Sequence, residues 1–310
     1  MRLLNCETRR LEIYDEANIP LYAILSHTWG DDEVLFEDFE SSRPLQYKKG
    51  WPKVEWTCRE ALKQGLDYVW VDSCCIDKRS SAELSEAINS MFRWYAKAVI
   101  CYAYLSDYTV SANPWKNKDI TSCYWFKRGW TLQELIAPSH LTFFDRNWAT
   151  IGTKEELSQQ INEKTNIDRD ILEAKGFEKI RALLDECSVA KRMSWASSRT
   201  TKRLEDMAYC LLGIFDINMP MLYGEGRRSF IRLQEEIIRE SNDMTIFAWQ
   251  SQNEPNCALK DGDRGIFARS PAEFVDAYRF IPYKNQRTIP EYTMTNKGLK
   301  IDIQVKPSQK

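Results

Sequence analysis

The chain has 310 residues, 43% of them hydrophobic and 28% charged, and a net charge of −2. That is enough apolar material for one large domain or two smaller ones, and the mixed charges leave no basic stripe for nucleic acid. No apolar run is long enough to cross a bilayer, and the charged stretch Met1–Tyr14 lacks a signal-peptide core.

In chain order, Tyr22-Ala-Ile-Leu-Ser26 predicts a short strand that stops at polar residues. Val54, Cys58 and Ala61 recur at helical spacing, with Pro52 near the start and Gly65 as the stop. Tyr68–Asp72 predicts a second strand, and Ser80-x-x-Glu83 a capping box opening a helix with Leu84, Ile88, Met91 and Tyr95 on one face. Val99–Leu105 predicts a third strand covered on both faces. A short helix over Trp130–Ile136, ended by Pro138, precedes a fourth strand at Leu141–Phe144. Strands separated by helices favour a parallel sheet.

Beyond Thr150 the pattern changes. Residues 155–187 read as several short charged helices, Arg203–Phe215 and Arg227–Glu240 as stronger ones. Short strands are expected at Thr245–Trp249, Gly265–Ala268 and Tyr292–Val305. The expected organisation is an α/β domain over 1–150, a helical extension packed on it over 151–243, and a β-rich segment over 244–310. The nine cysteines, mostly inside apolar runs, read as reduced buried thiols of a cytoplasmic protein, and two histidines with no C-x-x-C pair predict no metal site. Eleven tryptophans point to a rigid core, a stacking pocket, or both.

Open parallel sheets bind ligands beyond the carboxyl ends of their strands. There the first strand delivers Ser26, His27 and Trp29, the second Asp72 to Asp77, and the third Ser106 and Asp107. Trp130 and Glu134, four apart, share one helix face, and a carboxylate beside an indole suits a cationic aromatic ring. Asp72 either caps the next turn or belongs to the site. Cys74 with His27 offers a cysteine-hydrolase alternative. Arg192, Trp195, Glu205 and Asp206 read as a clamp locking the second half onto the first, and Gly224-Glu-Gly226 is too short for a phosphate loop.

Three blocks carry a resemblance: Tyr22-Ala-Ile-Leu-Ser-His-Thr-Trp-Gly30, Tyr68-Val-Trp-Val-Asp-Ser-Cys-Cys-Ile-Asp-Lys78 and Arg128-Gly-Trp-Thr-Leu-Gln-Glu-Leu-Ile-Ala-Pro138. A fourth runs from Arg192-Met-Ser-Trp195 through Glu205-Asp206 to Leu222-Tyr-Gly-Glu-Gly226. In these the chain resembles the heterokaryon-incompatibility (HET) domain proteins of filamentous fungi. Its element order is more distantly similar to a Toll/interleukin receptor (TIR) domain, departing from plant members at Thr131, where many have Cys. The resemblance implies a TIR/flavodoxin-like parallel sheet flanked by helices, and a cell-death effector in fungal self/non-self recognition.

It further implies that Glu134 is the catalytic carboxylate of an NAD glycohydrolase. Ser26, His27, Trp29, Asp72, Arg128 and Trp130 would bind NAD, which is substrate, with no cofactor required. Arg128 would reach the diphosphate, and Trp29 or Trp130 would form an aromatic shelf. Self-association, partners in a death pathway and further domains beyond Lys310 are also implied. The alternative within the same family is a non-catalytic signalling and oligomerisation module that recruits partners.

Overall fold

A computed structural model describes residues 1–41, 43–113, 118–251, 265–282, 292–295 and 298–301. It divides into two compact units, Met1–Leu183 with Arg199–Thr201, and Leu184–Ser198 with Lys202–Lys310.

The first unit is built on a seven-stranded sheet. Its strands are β1 (Arg2–Asn5), β2 (Leu11–Ile13), β3 (Tyr22–His27), β4 (Tyr68–Trp70), β5 (Ile100–Tyr104), β6 (Leu141–Phe144) and β7 (Thr150–Thr153), in the order β2-β1-β4-β3-β5-β6-β7. β4, β3, β5 and β6 run parallel, as their separation by helices predicts. The sequence reading missed the antiparallel edges: β1 and β2 form an N-terminal hairpin beside β4, and β7 returns beside β6. β1 and β2 are short and carry charges that mask alternation. β7 begins at Thr150, so the sheet continues across that position.

The connections are α1 (Phe36–Glu40), α2 (Trp51–Lys63), α3 (Ser81–Lys97), α4 (Tyr124–Lys127), α5 (Thr131–Ile136), α6 (Ser158–Thr165), α7 (Arg169–Glu173) and α8 (Phe177–Asp185), the division between units falling inside α8. α2 buries Val54, Cys58 and Ala61 and stops before Gly65, whose φ of +73° favours a residue without a side chain. α3 is capped by Ser80, which accepts the Glu83 N–H. The reciprocal half of the expected capping box is missing, because the Glu83 carboxylate takes the Asp77 N–H and pairs with Arg2 instead. Tryptophans fill the core as edge-on clusters, Trp70 against Trp94 and Tyr95, and Trp125 against Phe126 and Phe143. Such packing fixes ring orientation as well as burying area.

The second unit contains α9 (Val189–Ser194), α10 (Asp206–Tyr209), α11 (Leu212–Phe215), α12 (Arg228–Glu240) and a hairpin of β8 (Tyr292–Thr295) with β9 (Gly298–Ile301). Three expectations are corrected here. The single helix over Arg203–Phe215 is two short ones, because the Leu211 N–H closes a tight turn on the Ala208 carbonyl. Thr245–Trp249 is not a strand: the Asp243 side chain captures the Thr245 N–H and starts a 3-10 turn, the local competition expected of Asp. Gly265–Ala268 forms no strand either, since the buried Gln234 amide takes both the N–H and the carbonyl of Ala268. The part of the last predicted strand beyond Ile301 lies outside the described residues.

Glu205 explains the loop that ends in Gly224 and Gly226. Its carboxylate accepts both glycine N–H groups at 2.9 Å, and their φ of +105° and +59° is left-handed. Arg192 donates to the Ile214 carbonyl and lies over Phe215. These partners of the expected clamp lie inside the second unit.

Candidate functional site

Successive residues of a strand face opposite sides of its sheet, so the carboxyl end of β3 sends Ser26 and His27 into two separate clusters. The first joins β3 to α4 and α5. The fully buried Ser26 hydroxyl donates to Glu134 Oε2 at 2.5 Å, and its oxygen accepts the Trp125 indole N–H at 2.8 Å. Glu134 itself is 5% exposed. Burial pushes its carboxyl up to about 7, opposed by Ser26, Arg128 and Tyr95 and reinforced by the charge of Asp72. The Tyr95 hydroxyl of α3 gives its one proton to the Leu25 carbonyl at 3.1 Å.

α5 is held at both ends. At its start the Thr131 hydroxyl donates to the Trp125 carbonyl and accepts from Arg199 at 2.9 Å. Thr131, where the sequence departs from the TIR pattern, is therefore a buried hydrogen-bond hub. At its end Lys154, 2% exposed, donates to the carbonyls of Leu135, Ile136 and Pro138. Neither Lys154 nor Arg199 was legible in the sequence, because both are lone cations from distant segments with no motif.

The second cluster joins the β3 exit to the loop after β4. Asp72 accepts the His27 ring N–H and the Trp29 indole N–H, each at 2.8 Å. Against the cost of burial, His27, Lys78 and Trp29 hold Asp72 well below the usual carboxylate range. Burial, with Lys53 beside it, pulls His27 below its ordinary value. The neutral ring then donates from Nε2, leaving Nδ1 without a hydrogen-bond partner 4.0 Å from Glu33 Oε2, itself unpartnered. Glu33 takes the Gly30 N–H and pairs with Lys53. Lys78 lies with its ammonium 3.4 Å over the Trp29 ring. Replacing Asp72 with Ala is expected to cost about 2 kcal/mol in urea unfolding, because two ring N–H donors lose their acceptor together.

Of the residues expected at the site, Ser26 bonds to Glu134, while His27 and Trp29 gather on Asp72. Arg128, half-buried with its Nε unpartnered, contributes its charge near Glu134. Trp130 is half-buried at the head of α5. Ser106 stands 3.4 Å from Thr28, and Asp107 accepts the Tyr124 N–H. Cys74 is a poor nucleophile: Cys75 and burial push its thiol up, and His27 is engaged elsewhere. A hollow of about 230 Å³ opens at this edge, lined by Thr28, Trp29, Glu33, Lys53, Tyr104 and Ser106 among others. Among the described residues no group of His, Cys, Asp or Glu is arranged to hold a metal ion, and no helix is long and apolar enough to cross a membrane.

These features define an α/β protein with four central parallel strands and a buried carboxylate at their carboxyl edge. Residues 22–115 match the family model of the heterokaryon incompatibility protein (HET), and residues 228–310 match a domain of unknown function, DUF8212. The chain is similar to the vegetative incompatibility protein HET-E-1 of Podospora anserina, 44% identical over 239 residues, which are 74% of this chain and 17% of that protein. The chain thus spans less than a fifth of that relative's length. No solved structure matches it.

Proposed function

We propose that this chain is an incompatibility effector that induces cell death by cleaving NAD at the nicotinamide–ribose bond, with Glu134 as the acting carboxylate. The carrying observation is the Ser26–Glu134 pair, buried where β3 meets β5 and the strand order reverses. In doubly wound sheets such a reversal marks the binding crevice, and the parallel strands here follow the chain order two-one-three-four of flavodoxin-like folds. The HET match and the incompatibility relative support the biological role.

The chemistry asks little of the protein. The C1′–N bond breaks with its electron pair passing to the pyridinium nitrogen, so nicotinamide leaves neutral and needs no general acid. Water adds its oxygen to C1′ and releases one proton. What remains is the oxocarbenium-like ribose, which a fixed carboxylate in a low-dielectric site stabilises. Arg128, whose charge bears on Glu134, would meet the diphosphate, while Trp29, locked on Asp72 with His27 in the neighbouring cluster, lines the hollow at the strand exits.

Since only ionised Glu134 acts, and it ionises near 7 in this burial, nicotinamide release should rise between about pH 6 and pH 8. The purified chain, incubated concentrated with NAD, is assayed chromatographically for free nicotinamide. Glu134→Gln should lower release by ~100-fold or more; equal release from both proteins would end the assignment. The near-complete burial of Glu134 favours a second reading, a non-catalytic module that self-associates and recruits partners. That module would keep its toxicity in cells carrying Glu134→Ala. On the enzymatic reading, self-association would open the edge to substrate.

A further inference from the structure

Two buried side chains stand in series behind Glu134. The Trp125 indole donates to Ser26 Oγ at 2.8 Å, and Ser26 donates to Glu134 Oε2 at 2.5 Å. While Glu134 is ionised the direction of this chain is fixed. An indole nitrogen only donates, so Ser26 accepts from it, and its one hydroxyl proton goes to the carboxylate, which can only accept. Trp125 cannot swing away either: its ring is packed edge-on against Phe126 at 4.9 Å and Phe143 at 5.6 Å. Its backbone carbonyl is held by Thr131, which Arg199 holds in turn. Ser26 and Trp125 are both buried, so no water competes for these bonds.

We propose that Trp125 is a positioning residue which, acting through Ser26, fixes the Glu134 carboxylate in orientation and keeps it supplied with a hydrogen bond that favours its charged form. This rests on the reading of Glu134 as the acting carboxylate. It adds a specific prior step: the aim of that carboxylate is set from α4 and not by α5 alone. The other groups facing Glu134 are Tyr95 from α3, Asp72 after β4, Arg128 ahead of α5 and Cys101 from β5. All of them remain in the variants below, so a change between variants belongs to the relay.

The test reads the proton on Glu134 rather than turnover. The pH dependence of unfolding is measured for the parent, Ser26→Ala, Trp125→Phe and the double variant, each against the same protein carrying Glu134→Gln, and yields the midpoint of Glu134. Ser26→Ala should raise that midpoint by about one pH unit, tenfold in proton affinity. Trp125→Phe should raise it by about half as much where Ser26 is present and not at all where it is Ala. A Trp125→Phe shift that is zero with Ser26 present, or equal in both backgrounds, overturns the relay. Should Trp125→Phe fail to fold, NMR on the parent gives the answer: the Trp125 indole N–H signal must move with the Glu134 midpoint and lose that movement in Ser26→Ala. An indole signal indifferent to the titration overturns the relay. If the midpoints behave as expected while the parent releases no nicotinamide, the relay stands and the enzymatic reading falls.

Discussion

Glu134→Gln is expected to make the protein more stable than the parent at pH 8, by about 3 kcal/mol relative to the same comparison at pH 5. Glu134 ionises at an ordinary 4.5 in an unfolded chain and near 7 in the fold, because burial strips water from its charged form. Below 4.5 both states hold the proton and the side chain is neutral in each. Between 4.5 and 7 the folded state holds a proton that the unfolded state has lost, so stability falls as pH rises. Above 7 the loss is complete, at about 1.4 kcal/mol for each pH unit of the difference. Glutamine keeps the Ser26 hydrogen bond and has no charge to desolvate, so it escapes this fall. Urea unfolding of both proteins at the two pH values decides the matter. A difference that stays constant with pH would mean that Glu134 is better solvated than its burial indicates. A carboxylate kept at such cost, when glutamine would stabilise the fold, is the trade expected of a site shaped by activity.

The second large effect lies at the far end of the same helix. Lys154→Met should destabilise the protein by about 3 kcal/mol in urea at pH 6, with faster amide exchange in α5. The last carbonyls of a helix have no following N–H, and Pro138 removes one donor outright. The Lys154 ammonium replaces those donors, reaching three carbonyls at the negative end of α5. Methionine preserves the apolar stem and volume but donates nothing, leaving buried acceptors unmet. The opposing effect is desolvation, which pulls the Lys154 ammonium down to about 7. Replacing a buried ion by a hydrophobe is sometimes stabilising for that reason. A rise in stability would therefore show that desolvation outweighs the three hydrogen bonds, and that α5 does not depend on its lysine.

The parallel core was legible because its signals are local. Tyr22–Ser26, Tyr68–Asp72, Val99–Leu105 and Leu141–Phe144 are apolar runs ending in polar residues, and each became a strand of the same sheet. The segments that failed did so where a side chain displaced the backbone from regular pairing, as Asp243 does at Thr245 and Gln234 at Ala268. No window of sequence contains both partners of such a bond when, as for Gln234, they are 34 residues apart.

The site divides in the same way. Alone, the sequence determined which residues stand at the strand exits, that Glu134 rides a short helix stopped by Pro138, and that the blocks around them resemble those of HET proteins. The tertiary structure decided that Ser26 and His27, neighbours in the chain, serve different carboxylates on opposite faces. It also decided that Trp29 is tied to Asp72 beneath Lys78, and that Glu134 is fixed by Trp125 on one side and by Lys154 through its helix on the other. The reason is physical: a motif records which groups are present and how the chain delivers them. Charge state and hydrogen-bond direction depend on what the rest of the fold excludes or brings within about 3 Å, and that is set by burial and long-range packing.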